Sequence, residues 1–281
     1  QAALAGAERI YNILDEEPEP PDPPEAQKLE EVEGRIGFED VTFAYEPSRP
    51  VLHDVSFEIE PGQTVALVGP TGAGKTTIAN LISRLYDATE GSVRLDEHDV
   101  REVERRSLRR HIATVLQEPF LFSGTVAENI GYGRTDATRD EIEAAARAVS
   151  AHELIRALPR GYDTRLGRGG GTLSGGQRQL VSFARAVLAD PRILILDEAT
   201  SNIDTRTEAL IQEALGTLMR GRTSVVIAHR LSTIRNADLI LVVESGRIAE
   251  HGTHASLLAS AGLYADLYRR QFREPAAATG G

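Results

Sequence analysis

Residues 64–76 of this 281-residue chain, TVALVGPTGAGKT, carry its clearest structural pattern. Residues 64–69 form a continuous apolar run that ends in glycine, which is typical of a buried parallel strand. Residues 69–76 match the pattern G-x-x-x-x-G-K-[ST], in which a glycine-rich loop joins such a strand to a helix. Since residues 76–85 carry a helical pattern, the sequence predicts a strand, a phosphate-binding loop and a helix in that order.

The residue types in this loop suit a nucleotide phosphate. Glycines let the backbone wrap around the β-phosphate with its N–H groups pointing inward, and the next helix adds the positive end of its dipole. Lys75 supplies a compact positive charge for the β- and γ-phosphates, and the Thr76 hydroxyl suits Mg²⁺. A glycine-rich turn with a chance lysine is the alternative, which the strand–loop–helix context disfavours. The predicted nucleotide-binding residues of the loop are Gly69, Pro70, Thr71, Gly72, Ala73, Gly74, Lys75, Thr76 and Thr77.

A second apolar strand delivers two acidic residues. In ILILDEAT, residues 193–200, Asp197 stands at the carboxyl end of the predicted strand, where it can hold Mg²⁺ through water. Glu198 follows and is placed to orient or deprotonate an attacking water. The alternative is that the two acids cap a strand end that faces solvent. With the phosphate loop, they predict ATP hydrolysis with Mg²⁺ as the cofactor.

Strands and helices alternate outward from these two stretches. This alternation predicts an α/β fold with a P-loop core and a mostly parallel sheet. Residues 36–45 and 55–60 alternate apolar and polar side chains, which predicts a smaller antiparallel layer beside that core. One or two helices are predicted at residues 139–157 and further helices at residues 177–188, 206–219 and 254–272. Further strands are predicted at residues 112–116 and 224–229 and in a hairpin over 239–252.

Composition and charge exclude several classes of protein. No run of eighteen apolar residues exists, so no segment of the sequence is expected to span a bilayer. The net charge of −11 makes nucleic acid an unexpected partner, and the absence of cysteine excludes disulfides and thiolate metal sites and fits a reducing cytosol. Of 31 basic residues only Lys28, in a polar linker, and Lys75 are lysines. The chain begins with Gln1, so we expect a piece of a longer protein or a processed product.

The pentapeptide LSGGQ, residues 173–177, begins another predicted helix and resembles the signature motif of ABC ATPases. Ser174 and the amides of two glycines at a helix N-terminus can grip an anion. The resemblance implies that this clamp serves an ATP held by an opposing subunit, identical or different, in a head-to-tail dimer. A capped helix start is the simpler alternative, although it does not explain two following glycines. The implied partner-site residues are Leu173, Ser174, Gly175, Gly176 and Gln177.

Other parts of the ABC pattern follow in order over residues 35–273. By resemblance, Tyr45 stacks on adenine, and Gln117 contacts Mg²⁺ and the attacking water. Asp204 matches the D-loop residue near the dimer partner, and His229 matches the switch histidine that contacts the γ-phosphate. Taken singly, each has a simpler alternative: a surface tyrosine, a polar residue after a strand, a helix N-cap and a structural histidine.

The resemblance also implies a domain organisation. It predicts a P-loop (RecA-like) core, an antiparallel β subdomain and a helical subdomain at about residues 118–190 that carries the signature. Residues 1–34 are expected to be the end of a membrane-domain helix followed by a Pro-rich acidic linker, because residues 5–19 resemble that region of exporters with fused membrane and ATPase parts. Residues 35–273 are expected to form the ABC ATP-binding domain, and residues 274–281 a disordered tail.

The segment after Gln117 points to an exporter. LFSGTVAENI, residues 121–130, resembles the exporter segment whose apolar side chains meet an intracellular coupling helix, and Phe120, Leu121 and Phe122 are candidates for that contact or for local core. The resemblance therefore implies a transmembrane partner and a place on the cytoplasmic face of the cell membrane. One departure stands out: exporters commonly carry T-E-V-G-E-R-G before the signature, whereas residues 164–170 read TRLGRGG and place Arg168 at an acidic position.

We expect an ATP-hydrolysing motor domain of an ABC exporter with an unknown substrate. One alternative is a soluble ABC ATPase of DNA repair, translation or cluster assembly, which the acidic charge and the exporter-like N-terminal stretch disfavour. Another is a regulatory module that binds nucleotide without turnover, which Glu198 and His229 disfavour.

Overall fold

The computed structural model describes residues 2–16, 19, 21–197, 205–228 and 230–272 of the 281. The strands of this described part are β1 (Ile36–Glu46), β2 (Arg49–Ile59), β3 (Thr64–Val68), β4 (Glu90–Leu95), β5 (His98–Asp99), β6 (Ile112–Val115), β7 (Gly124–Thr125), β8 (Arg165–Leu166), β9 (Ile193–Asp197), β10 (Thr223–Ile227), β11 (Leu239–Glu244) and β12 (Arg247–Gly252). The α-helices are α1 (Ala2–Leu14), α2 (Lys75–Ile82), α3 (Arg105–Arg110), α4 (Val126–Gly131), α5 (Arg139–Ala148), α6 (His152–Arg156), α7 (Gly175–Ala189), α8 (Thr205–Met219), α9 (Leu231–Asn236), α10 (His254–Ala259) and α11 (Leu263–Phe272).

The central sheet has six strands in the order β12-β11-β3-β10-β9-β6. Its neighbours pair in parallel except for β12, which turns back beside β11 as the predicted hairpin. Side chains of β3 alternate between two hydrophobic cores, since Ala66 and Val68 pack in one and Val65 and Leu67 in the other. Both faces of the sheet are therefore covered, which is why its central strands β3 and β9 read as continuous apolar runs. The predicted α/β fold with a mostly parallel core is confirmed.

A second, antiparallel sheet covers one side of this core. Its order is β2-β1-β4-β5, and it contains the two strands that the alternating pattern predicts. Strands β4 and β5 were not predicted, because β4 begins with exposed residues and β5 has only two residues, so both depend on pairing with neighbouring strands. The stacked rings of Phe38 and Phe57, with centroids 4.5 Å apart, join β1 to β2.

Helices α4 to α7 lie between β6 and β9 in the chain. Their apolar side chains, among them Ile130, Ala146 and Phe183, belong to the core on the other face of the sheet. The sequence predicted one or two helices over residues 139–157, and α5 and α6 are two. Helix α7 begins at Gly175, two residues before the predicted start, because the side chain of Ser174 accepts a hydrogen bond from the N–H of Gln177 and caps it.

The acidic segment before β1 contacts the rest of the domain at residues 22, 27 and 29. The N–H of Gln27 donates to the carbonyl of Glu102 at 2.8 Å, and Leu29 is buried. Asp22 accepts a hydrogen bond from Arg105 at 3.2 Å, so the segment is bound by charge as well as by burial. Among the described residues no helix has the length and apolar character needed to cross a membrane.

Candidate functional site

The phosphate loop connects β3 to α2 at the carboxyl edge of the central sheet. Gly74, the residue before α2, has φ 112°, a conformation that favours glycine, and no side chain caps the helix. The first backbone N–H groups of an α-helix have no partner within the helix. A Cβ on Gly69 would lie 2.1 Å from the carbonyl oxygen of Val243, so only glycine fits there. The loop thus offers donors for an anion at a position where backbones pass closely.

Lys75, the first residue of α2, is 7% exposed. Its Nζ donates hydrogen bonds to the carbonyl oxygens of Gly69 at 2.8 Å and Pro70 at 2.9 Å, so the side chain folds back over the loop. Burial lowers the pKa of the Lys75 ammonium, and the negative charge of Asp197 opposes that shift. A partly desolvated ammonium held by two neutral carbonyls is well suited to exchange them for phosphate oxygens.

Asp197 ends β9, and the strand register brings it to the same edge as the loop. It lies opposite Ile227 of β10, and Ile227 lies opposite Leu67 of β3, one residue before the end of that strand. Three residues predicted to hold Mg²⁺, namely Thr76, Gln117 and Asp197, offer a hydroxyl, an amide and a carboxylate oxygen, which are the hard ligands that this ion prefers. The described residues contain no group of three His, Cys, Asp or Glu side chains that could hold a metal ion, so any Mg²⁺ there would rely on this mixed set.

Tyr45, near the end of β1, stands beside the phosphate-loop helix. Its hydroxyl lies 3.2 Å from the Thr77 hydroxyl oxygen, and the Asn80 amide donates to it at 3.3 Å. The ring is 47% exposed and packs edge-on against Phe43 and Tyr86, with centroids 4.8 and 5.0 Å away. An exposed aromatic face supported from behind suits a planar base, and sequence reasoning missed Tyr86 as part of this support.

The signature residues lie at the start of α7, on the helical side of the molecule. Ser174 and Gln177 form a capping box, because the Ser174 hydroxyl accepts from the Gln177 N–H and the Gln177 side chain accepts from the Ser174 N–H. Leu173 is buried, whereas Ser174 and Gly175 are exposed. Within the described residues no hydrogen bond or ion pair joins residues 173–177 to residues 69–77.

The segment after β6 holds Gln117 and three exposed rings. Gln117 is exposed, as are Phe120 (50%), Phe122 (40%) and Tyr132 (61%). These last three residues are named the aromatic patch here; Phe122 packs on Phe120 and Tyr132 with centroids 5.2 and 4.5 Å apart. Leu121 is fully buried, so of the three apolar residues predicted as contact surface or core, two are surface and one is core.

Several predicted residues lie outside the described part of the chain, namely Glu198, Asp204 and His229. The side chain of Arg168 is likewise outside it. Sequence reasoning also missed a support of the phosphate loop: the N–H of Gly246, in the β11–β12 turn, donates to the carbonyl of Ala73 at 3.0 Å. The glycine in that turn was visible in the sequence, but its contact lies more than 170 residues away along the chain.

Comparisons with known proteins agree with this geometry. A family model described as ABC transporter matches residues 52–201, more than half of the chain. The chain is 54% identical over 274 residues to the fatty acid ABC transporter ATP-binding/permease protein of Mycobacterium tuberculosis, which is 96% of this chain and 42% of that protein. It is 51% identical over 278 residues to the ATP-dependent lipid A-core flippase of Chromobacterium violaceum, which is 99% of this chain and 47% of that protein.

A solved structure is similar as well. The structure of a bacterial Atm1-family ABC exporter with ATP bound matches with a TM-score of 0.88 and 43% identity, over 97% of this chain and 48% of that one. The chain therefore spans less than half the length of the curated relatives and of the solved structure that it matches.

Proposed function

Since the chain belongs to the ABC transporter family, we propose that it is the ATP-binding and ATP-hydrolysing motor domain of an exporter. The observation that carries the ATPase part is the phosphate loop, where an uncapped helix start and a buried Lys75 meet beside Asp197. The transport part rests on relatives that are named transporters or flippases and are about twice as long as this chain.

ATP binding uses the donors of the phosphate loop and the ring of Tyr45. Lys75 exchanges the carbonyls of Gly69 and Pro70 for oxygens of the β- and γ-phosphates, and the free N–H groups at the start of α2 hold the same anion. Adenine stacks on the exposed face of Tyr45, which Tyr86 and Phe43 support edge-on. The loop residues Gly69 to Thr77 act as one phosphate cradle.

Hydrolysis depends on residues at the carboxyl edge of the sheet. Thr76, Gln117 and Asp197 are proposed to hold Mg²⁺, Asp197 through water, and the ion supplies charge neutralisation on the phosphates. Glu198 directly follows Asp197 in the chain and is proposed to orient or deprotonate the attacking water. His229 is proposed to contact the γ-phosphate, so that together with Lys75 it stabilises the charge on the transferred phosphoryl group.

Each site is completed by a second ABC ATPase domain, identical or different. Residues 173–177 lack any described link to the phosphate loop of their own chain and are exposed at Ser174 and Gly175, which supports a role toward a partner's ATP. Asp204 is proposed to lie near the same contact. Two ATP molecules would then be enclosed in a head-to-tail dimer, whose closure depends on γ-phosphate contacts.

The second proposed partner is a transmembrane domain, which this chain would contact from the cytoplasmic side of the cell membrane. The aromatic patch supplies an apolar contact surface, and beside it lies a groove of about 1080 Å³ lined by Arg106, Arg110 and Arg134. Helix α1 exposes large apolar side chains, including Ile13 and Leu14, which fits a continuation toward membrane. Opening and closing of the dimer would move this surface and drive transport.

The experiment that tests the proposal is Glu198→Gln. The variant should release phosphate at least about 100-fold more slowly, because the amide cannot take a proton from water, while ATP binding is retained. Size-exclusion chromatography with ATP should show a persistent dimer in this variant and a transient one in the parent. Hydrolysis at the parental rate would mean that Glu198 is not the base.

A further inference from the structure

Helix α7 carries one arginine in its last turns that reaches the segment after β6. The Nε of Arg185 donates to the carbonyl oxygen of Asn129 at 2.8 Å, and Nη1 donates to the carbonyl oxygen of Phe120 at 3.3 Å. Its Nη2 donates to the side-chain oxygen of Asn129 at 3.1 Å. One guanidinium therefore fixes backbone and side-chain oxygens at both ends of residues 120–129.

The same guanidinium faces two rings of the aromatic patch. Its Cζ lies 5.6 Å from the ring centroid of Phe122 and 5.7 Å from that of Tyr132, within the range of cation–π attraction. In the described part of the chain no carboxylate pairs with it, and burial lowers the pKa of Arg185. The charge is thus held by carbonyl oxygens and ring faces alone, an arrangement that the planar fork of arginine satisfies and a lysine ammonium does not.

Asn129 extends this contact into the segment itself. Its side chain is buried, its Oδ1 accepts the N–H of Phe122 at 2.8 Å, and its Nδ2 donates to the carbonyls of Phe122 and Thr125, each at 3.0 Å. Every polar atom of that amide is used to hold Phe122. A displacement of Phe122 must therefore move Asn129 and, through it, Arg185.

The backbones of α7 and of the segment around Gly133 also approach each other closely. Gly133, next to Tyr132, lies so near α7 that an added Cβ would be 2.3 Å from the carbonyl oxygen of Arg185. From Arg185 the helix runs ten residues back to Gly175, a distance of about 15 Å in a regular α-helix. Helix α7 thus connects the aromatic patch to the signature residues.

We propose that Arg185 is a positioning residue that makes the placement of the signature clamp, residues 173–177, depend on the placement of the aromatic patch. The inference rests on the proposed function, in which a membrane-side partner binds the aromatic patch and an ATP binds the signature clamp. Arg185 touches neither ATP nor water; it acts through α7.

A double-mutant cycle on ATP hydrolysis tests the dependence. Tyr132→Ala and Arg185→Met should each lower kcat roughly threefold, the range seen for residues that couple sites without contacting either ligand. KM for ATP should stay unchanged, because the phosphate loop, residues 69–76, takes no part in the contacts that these variants remove. The double variant should be no slower than Arg185→Met alone, since without Arg185 a change in the aromatic patch no longer affects the position of the clamp. Arg147→Met, on α5 with an exposed ion pair to Glu143, is the matched control and should leave kcat unchanged.

A spectroscopic measurement separates positioning from loss of fold. The chain has no cysteine, so Ser123→Cys beside the patch and Thr172→Cys beside the clamp, both exposed, accept spin labels without background. Arg185→Met should broaden the distance distribution between the labels by roughly twofold, because the contacts that fix α7 to Phe120 and Asn129 are removed. Arg147→Met should leave the width as it is, and circular dichroism should show all variants folded.

Multiplicative losses in the cycle, or an unchanged distance distribution in Arg185→Met, would overturn the inference. Neither measurement needs a membrane domain. If the coupling holds while hydrolysis by the chain is the same with and without a transmembrane domain, the inference stands and the transport half of the proposed function fails.

Discussion

Two helix starts in this molecule carry glycines and are proposed to bind phosphate, but they are built differently. Helix α2 begins after Gly74 with no side-chain cap, and its first residue, Lys75, is buried and bonded to the loop. Helix α7 begins after Ser174 with a complete capping box, and its first glycine is exposed. In the described residues no side chain caps α2, whereas at α7 the Gln177 N–H is bonded to the Ser174 hydroxyl and the Ser174 N–H to the Gln177 side chain.

The phosphate-loop half of the proposed site is ready before ATP arrives. Free N–H groups and an ammonium held by neutral carbonyls need little rearrangement to accept phosphate. At α7, a phosphate that bonds to the Ser174 hydroxyl or the Gln177 N–H must first displace the contact between them, so we expect weaker binding there. On the proposed function, one chain therefore binds ATP first at its phosphate loop, and a partner completes the site.

Removing the charge at α2 should have the largest effect. Lys75→Ala should lower the hydrolysis rate by about 10²- to 10³-fold, because the ammonium is the side-chain cation at the phosphates. Phosphate release measures the effect. Lys28→Ala, which removes the other lysine of the chain from an exposed place before β1, should keep the parental rate. Equal losses in both variants would mean that Lys75 has no special role.

Adding one methyl group should change the free energy of unfolding in opposite directions at the phosphate loop and at the start of α7. Gly69→Ala should destabilise the fold by ~1–3 kcal/mol, since its Cβ would meet the carbonyl oxygen of Val243. Gly175→Ala meets only the end of the Arg178 side chain, at 3.9 Å, so it should raise the free energy of unfolding by up to about 1 kcal/mol.

The same Gly175→Ala variant should hydrolyse ATP about tenfold more slowly, because the methyl group displaces a donor from the clamp. Urea unfolding and phosphate release check the two effects. A Gly175→Ala chain that is both more stable and fully active would contradict the clamp assignment.

Alkaline pH should weaken ATP binding at α2 in particular. Burial places the pKa of Lys75 below its ordinary value of 10.5, so the nucleotide-free fold loses that proton before the unfolded chain does. Between the lowered value and 10.5 the free fold therefore gains stability with rising pH, while ATP, which needs the charged form, loses affinity by at most about tenfold per pH unit. Titrations from pH 8 to 10.5 should show the fall in the parent and a flat profile in Lys75→Met.

Loss of the cap at α7 should have the smallest effect on function in the free chain. Ser174→Ala should lower the free energy of unfolding by about 1 kcal/mol, the usual contribution of a serine N-cap. ATP affinity of the isolated chain should not change, since the phosphate loop lies elsewhere. A loss of ATP affinity would place Ser174 in its own chain's site.

The sequence predicts the α/β order well, because strands such as β3 and β9 are short apolar runs buried on both faces, and the phosphate loop has a local pattern. It also predicts the start of α7 to within two residues. It does not reveal that Lys75 bonds to Gly69 and Pro70, nor that Gly246 supports Ala73. Such contacts depend on how distant segments pack, which no local spacing records. The division of Phe120 and Leu121 into surface and core has the same origin.

A mixing experiment tests whether each proposed ATP site is shared between two chains. Lys75→Ala breaks the phosphate-loop half of every site, and Ser174→Arg breaks the signature half, so each variant alone should be inactive. Mixed head-to-tail dimers contain one site with both halves intact, so an equimolar mixture should recover about a quarter of the parental rate. A mixture of Lys75→Ala with Glu198→Gln, which damages the same half twice, should recover none. If the first mixture regains no activity although the dimers are shown to exchange, the two halves do not come from different chains.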